Sequence, residues 1–185
     1  MAKTKGVGLI NCRNYLLETY GQAGYDQVLA ALSPEDRSVL QKPIVTAAWV
    51  DYGVYLRWML TADKALGKGD FAVVHEINRY SARKDTGGIY KFLLRIISTE
   101  TIISNAAGAW RQFYDTGKFA VVVKEHHRFV FEVTEFPDIP LHHDQENSPY
   151  LDELLRLCGG RNTKVTHPKC IARGDASCIW EMKWE

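Results

Sequence analysis

The sequence contains no apolar run approaching the roughly 20 residues that a membrane-spanning helix needs, and no excess of charge. Its 23 Lys and Arg stand against 22 Asp and Glu. The first absence excludes a helical membrane protein. The second removes the broad electrostatic footprint expected of nucleic-acid or anionic-membrane binding. Compact catalytic signatures are missing too: there is no GxGxxG turn, no HExxH pair and no nucleophile elbow. Nothing in the composition or spacing argues for an enzyme. Cysteine is scarce, with four in 185 residues. The basic start "MAKTKGVGLINCRNYLL" lacks the apolar stretch and small-residue cleavage site of a signal peptide, so the expectation is a cytoplasmic protein with reduced thiols.

What is present is an ordinary globular composition, 46% hydrophobic and 24% charged, in a length suited to one domain spanning 1–185. Residues 1–116 read as mainly helical. Leu9, Cys12, Leu16 and Tyr20 share one helical stripe. Ser33 followed by Pro34, Glu35 and Asp36 is a helix start. Residues 46–66 and 70–85 read as further helices, with "GKGD" as the connection between them. "IYKFLLRII" is a short buried helix, and Ser98 caps another with Ile102, Ala106, Trp110 and Phe113 on one face. At Gly117 the period changes, and "KFAVVVKEHHRFVFEVTEF" reads as a β-hairpin. "PDIPLHHDQENSPY" is too polar and proline-punctuated for regular structure. Ser148-Pro149 opens a helix bearing Leu151, Leu154, Leu155 and Cys158, which ends at Gly159-Gly160. A second hairpin closes the chain. The fold class is α+β: a helical N-terminal half on a four-stranded antiparallel sheet with one crossover helix over 117–185.

In the closing strand, Cys178, Trp180, Met182 and Trp184 fall on one face, and their bulk marks it as the core side. A turn centred on Gly174 sets Cys170 opposite Cys178, with Cβ atoms about 4.5–5.5 Å apart. His167 precedes Cys170 by three residues, and a bulge at Pro168 would bring it to the same side. The spacing leaves three readings open: metal ligation, a disulfide, or two small core residues. A zinc site needs four ligands, and the fourth would come from His142, His143 or Asp144. His143 is the expected fourth ligand.

The stretch "CIARGDASCIWEM" resembles the C-terminal signature of the 4-vinyl reductase domain family, whose members include aromatic-sensing domains of bacterial regulators. The resemblance implies a fold shared with small TRAPP vesicle-tethering subunits and distantly like haem–nitric-oxide-binding domains. It also implies structural zinc on the hairpin cysteines. Carried over, Cys170 and Cys178 match that set, position 167 is His rather than an acid, and the upstream cysteine is absent. "KGVGLINCRNYLLETYG", "GGIYKFLLRIIS" and "AWRQFYDTGKFAVVV" are similar to an uncharacterised family known mostly from myxobacteria.

Trp110 and Tyr114 end a helix just before the sheet, while Phe129 and Phe131 alternate on a strand. In the family that the chain resembles, such a junction encloses an apolar ligand. The expectation is therefore a non-catalytic, sensor-like module that binds an aromatic or acyl molecule against these four rings and acts through a signalling partner. The alternative is a homodimerising interaction module whose pocket is filled by its own side chains. A reductase role ranks third. His75 with "RYSAR" is a poor match to a haem-ligating His and Tyr-x-Ser-x-Arg pattern, since Tyr80 and Ser81 are adjacent. Zinc is therefore ranked above haem as the expected cofactor.

Overall fold

The computed structural model describes residues 2–87, 101, 106–136 and 143–185. Its elements follow from the apolar spacing, with two departures. Strand β1 (Lys3–Lys5) leads into helix α1 (Gly6–Ala31), whose stripe of Leu9, Cys12 and Leu16 is fully buried. The helix kinks at Gly21, where φ 67° is open to a residue without a Cβ. Ser33 caps α2 (Pro34–Leu40) by accepting from the Asp36 amide at 3.1 Å. Asp36 in turn receives both Nε and Nη2 of Arg57, each at 2.7 Å.

The first departure lies at residues 46–66, expected as one helix. Trp49–Asp51 instead form strand β2, paired antiparallel with β1, and helix α3 runs Tyr52–Leu66. Asp51 sets the boundary, because its carboxylate accepts from the Val54 amide at 3.3 Å and caps the helix there. Helix α4 (Ala72–Asp85) follows the glycine-bearing connection. Its N-cap residue Phe71 has no capping side chain; Asp70 accepts from the Ala72 amide at 3.2 Å, and Asp63 of α3 accepts from the amides of Phe71 and Val73 at 3.0 and 2.9 Å. The expected helix over 89–97 and the cap at Ser98 lie outside the described residues. Helix α5 (Ala106–Phe113) completes the helical half. The N-terminus pins its end: Thr4 bridges Tyr114, and the Lys3 amide donates to Asp115 at 2.8 Å.

The sheet takes strands β3 (Lys118–Glu125), β4 (Arg128–Thr134), β5 (Lys164–Lys169) and β6 (Cys178–Lys183) in the spatial order β3-β4-β6-β5, antiparallel throughout. Helix α6 (His143–Leu157) crosses between β4 and β5. Here is the second departure. The helix begins at His143, not at Ser148, so part of the segment expected as irregular is helical and Pro149 lies inside it. Asp144 and Glu146 in the first turn favour that start through the helix dipole, and the inward contacts of His143 and Glu146 described below hold it in place.

One face of the sheet closes the core. Across the β4–β6 ladder Phe129 opposes Met182, Phe131 opposes Trp180 and Val133 opposes Cys178, and all six side chains are buried. They belong to one apolar cluster with Leu9, Leu16, Trp58, Met59 and Ile77 of the helices. Because Trp180 is only 2% exposed, Trp180→Ala should cost about 3–5 kcal/mol. Urea denaturation measures this. A loss below about 0.5 kcal/mol would mean that the ring contributes no more than a surface residue.

Candidate functional site

Two groups of polar side chains stand inside this apolar frame. The larger lies among the helices. Tyr52 at the start of α3 donates its hydroxyl hydrogen to Glu146 Oε2 in a short contact, and His143 Nδ1 lies 3.4 Å from the same hydroxyl. Glu146 is 2% exposed and His143 equally enclosed. The Asn147 amide nitrogen sits 3.0 Å from His143 Nδ1. A second network spans three helices: Asn11 of α1 donates to Asp85 Oδ1 at 2.8 Å, and Tyr150 of α6 donates to Oδ2 at 3.2 Å. Tyr114 meets the Tyr52 ring edge-on at 5.5 Å, and Tyr55 lies 6.5 Å from it. Four tyrosines and two carboxyls thus share one interior region.

Burial governs their protonation. Desolvation pushes the Glu146 carboxyl up to about 8, against the smaller opposing pull of the Tyr52 hydrogen bond. The same cause raises Asp85. It also holds Tyr52, Tyr55, Tyr114 and Tyr150 above the ordinary phenol range. At neutral pH Glu146 and the four phenols are protonated, while Asp85 accepts from Asn11 and Tyr150.

The smaller group is in the closing hairpin. One ligand atom each from His167, Cys170 and Cys178 lies within 4.8 Å of the other two. The register explains this convergence. Thr166 opposes Glu181 but Lys169 opposes Ile179, so one extra residue bulges at Pro168. His167 and Cys170, three apart in sequence, then share a face. The Cys178 thiol donates to Cys170 Sγ at 3.7 Å, and both cysteines are free thiols. A 3₁₀ turn over Ile171–Arg173, closed by Gly174 at φ 92°, occupies the hairpin end. The His167 ring stacks on Trp180 at 4.0 Å and 2°. Burial, reinforced by Arg173, pushes its imidazole down to about 4, and burial pushes the Cys178 thiol up to about 12. His143 is not in this group: its ring centroid is 6.1 Å from that of His167, and it belongs to the helical network. Asp144 is 4.0 Å from Arg173, and His142 lies outside the described residues.

The four rings expected to line an aromatic site make the following contacts. Trp110 lies 4.4 Å from Tyr114 and 5.6 Å from Phe119, which lies 4.9 Å from Phe131. Phe129 turns instead to Trp184 at 5.7 Å. The Trp110 indole is held by the Thr116 carbonyl at 3.0 Å. His75 pairs with Gln145 at 2.7 Å, and Tyr80 donates to Glu18 at 2.7 Å. Sequence reasoning missed Tyr52, Asp85, Glu146 and Tyr150. The available signal was that His143, Glu146 and Tyr150 fall on one helical stripe, with Leu154 continuing it.

No family model and no curated protein matches the sequence. Solved structures do match. An H-NOX protein from S. oneidensis in the Fe(II)NO state superimposes with a TM-score of 0.70 at 9% identity, covering 98% of this chain and 99% of that one. The unliganded Fe(II) H-NOX protein from K. algicida gives 0.67 at 8%, covering 98% and 96%. A structure from work on haem distortion in the H-NOX family gives 0.67 at 11%, covering 98% and 95%. The chain has the H-NOX fold. This overturns the resemblance to 4-vinyl reductase and TRAPP proteins, which rested on a hairpin signature of about 40 residues while the match to H-NOX domains runs through the whole architecture. It also overturns the ranking of zinc above haem, because these neighbours are haem proteins. Among the described residues, three donors, not the four of a structural zinc shell, converge in the hairpin.

The buried carboxyl has a thermodynamic signature. Glu146 moves from an ordinary 4.5 to about 8 on folding, so between those values the native state holds the extra proton and stability falls as pH rises. Asp85, also raised by burial, acts in the same sense. His167 moves from 6.5 down to about 4, so its contribution rises with pH over that window and offsets the carboxyls. Above pH 6.5 the opposing His167 contribution is complete, so the Glu146 loss is no longer offset by it. Stability should therefore fall on the order of 1 kcal/mol per pH unit from about 6.5 towards 8, and Glu146→Gln should flatten this slope. Urea midpoints across that range test it; an unchanged slope in the variant would show that Glu146 is ionised in the native state.

Proposed function

We propose that this chain is a non-catalytic sensor module that takes a small molecule into its interior and reports through a partner protein. The tyrosine–carboxyl cluster carries the reading. Interiors are filled with apolar groups unless polar ones are paired, and a few converging polar groups in an apolar frame are the usual anatomy of a small-molecule site. Tyr114 and protonated Glu146 would offer donors to such a ligand, and the Tyr150 hydroxyl, its hydrogen given to Asp85, would offer an acceptor. The H-NOX neighbours support a sensor, and the structures in Fe(II)NO and Fe(II)CO states favour a haem-borne gas over the aromatic or acyl ligand expected from sequence. At the junction expected to hold such a ligand, Trp110 stacks on Phe119 and Phe119 packs on Phe131.

Haem is the cofactor that the fold likeness implies, and the described residues meet that implication with hydrogen-bond donors but not with an iron ligand. Of the described histidines His143 adjoins the cluster, and Phe136, Trp180, Asn147 and Tyr52 already pack around it. The hydroxyls of Tyr52 and Tyr150 are already engaged by Glu146 and Asp85. No step is therefore assigned to haem.

A thermal-shift titration tests the proposal, with haemin first and then a panel of small phenols and carboxylic acids. A ligand selective for the native state raises stability by mass action, about 2.7 kcal/mol at 100 times its Kd. We expect a saturable rise in Tm with haemin or a panel member. Tyr150→Phe, which removes the hydroxyl held by Asp85, should weaken that rise while the unliganded protein stays folded. A flat response to haemin and to the whole panel would overturn the sensor reading.

A further inference from the structure

We infer that His167, Cys170 and Cys178 form a three-donor site for a soft monovalent metal ion, of which copper(I) is the representative. The site lies in the closing hairpin, apart from the helical cluster, and stands or falls independently of the sensor reading.

Four observations carry the inference. The donor atoms already converge, all within 4.8 Å of one another. Small inward movements would bring them to a shared ion, since metal–sulfur and metal–nitrogen bonds are near 2.0–2.3 Å. Both ring nitrogens of His167 are enclosed and have no hydrogen-bond partner. A histidine in that condition is costly unless something else takes its lone pair. The surroundings are those of a held ligand set. Stacking on Trp180 fixes the imidazole plane, the Ile171 amide donates to Cys178 Sγ at 3.3 Å, and Asp175 Oδ2 accepts from the Cys170 amide at 2.8 Å. Such outer contacts orient metal ligands. Finally, there is a way in: His167 and Asp144 line an open groove of about 490 Å³ between α6 and β5.

The number of donors selects the ion. A fourth ligand is not supplied among the described residues. His143 is engaged with Tyr52 and Asn147, Asp144 faces Arg173, and Asp175 serves the Cys170 amide. A closed tetrahedral shell is therefore unmet, whereas two thiolates and one imidazole suit a soft ion of low coordination number. Binding exchanges two thiol protons for one copper(I), which leaves the site with one negative charge. Arg173 lies beside it, its guanidinium donating to the His167 carbonyl at 2.6 Å, and would balance that charge.

The test uses the full chain, reduced and held anaerobically. Copper(I) is offered as its bicinchoninate complex, and the chelator's colour reports transfer. We expect one equivalent of copper(I) to be withdrawn, with thiolate-to-copper absorption appearing in the ultraviolet. Alkylation followed by peptide mapping should then show Cys170 and Cys178 protected by the ion, and Cys12 and Cys158 unaffected by it. Cys178→Ser should abolish withdrawal, and His167→Asn should weaken it about tenfold or more. The protection map is read on the unaltered protein, so a variant that fails to fold leaves the test intact. No withdrawal of copper(I), protection of other cysteines, or X-ray absorption showing four ligands would each overturn the assignment.

Discussion

A carboxyl group enclosed at 2% exposure must be neutral or paired, and the hydrogen bond from Tyr52 to Glu146 is how this chain meets that condition. Three segments depend on it. Helix α6 must start before Glu146, which places His143 in its first turn. Helix α3 must present Tyr52 at its very beginning. The amino-terminal strand then fixes that beginning, since the Tyr52 amide donates to the Ala2 carbonyl at 3.0 Å. Leaving such a carboxyl without its donor costs about 1–3 kcal/mol, a large share of the 5–15 kcal/mol that holds a domain together. The site is thus also a structural fastener, and its polarity is maintained by the same contacts that set the helix boundaries.

What could be read from the sequence was whatever repeats with a period. The stripe through Leu9, Cys12 and Leu16, the alternation through Cys178, Trp180 and Met182, and the capping pattern at Ser33 all report burial or backbone bonding by regular spacing. The α+β class followed from them. Strands β1 and β2 left no such trace, because three residues are too few for an alternation to show. The start of α6 was hidden for a different reason. Pro149 reads as a first-turn proline, and only the contacts of His143 and Glu146, distant in sequence from Tyr52, extend the helix ahead of it. Glu146 itself looked like one more solvated acid. Composition assigns acids to the surface on average, and a single exception is invisible until its partner is known.

The hairpin shows the converse. A local signature placed Cys170 and Cys178 side by side, and the bulge at Pro168 turns His167 to their side of the sheet. The same signature suggested the wrong relatives, because a two-strand motif of this size recurs wherever the ladder geometry allows it. Trp180 connects this local feature to the rest of the molecule. One face of its ring stacks on His167, and His143 approaches it edge-on at 5.0 Å. The hairpin group and the helical cluster therefore share a single aromatic wall.

A likeness at 9% identity over nearly the whole chain means that the apolar spacing needed for the fold has been met by almost entirely different residues. Packing tolerates this, since cores accept many combinations of similar volume. Interior chemistry does not, because a buried donor or acceptor is costly unless its own partner is kept. The scaffold is thus shared with the H-NOX structures, while the character of this protein rests on the few polar groups it encloses: Tyr52 and Glu146, Asn11, Asp85 and Tyr150. Function resides in such sites and not in the fold that carries them, and in this chain burial raises the carboxyls and phenols among those residues while hydrogen bonds pair them with one another.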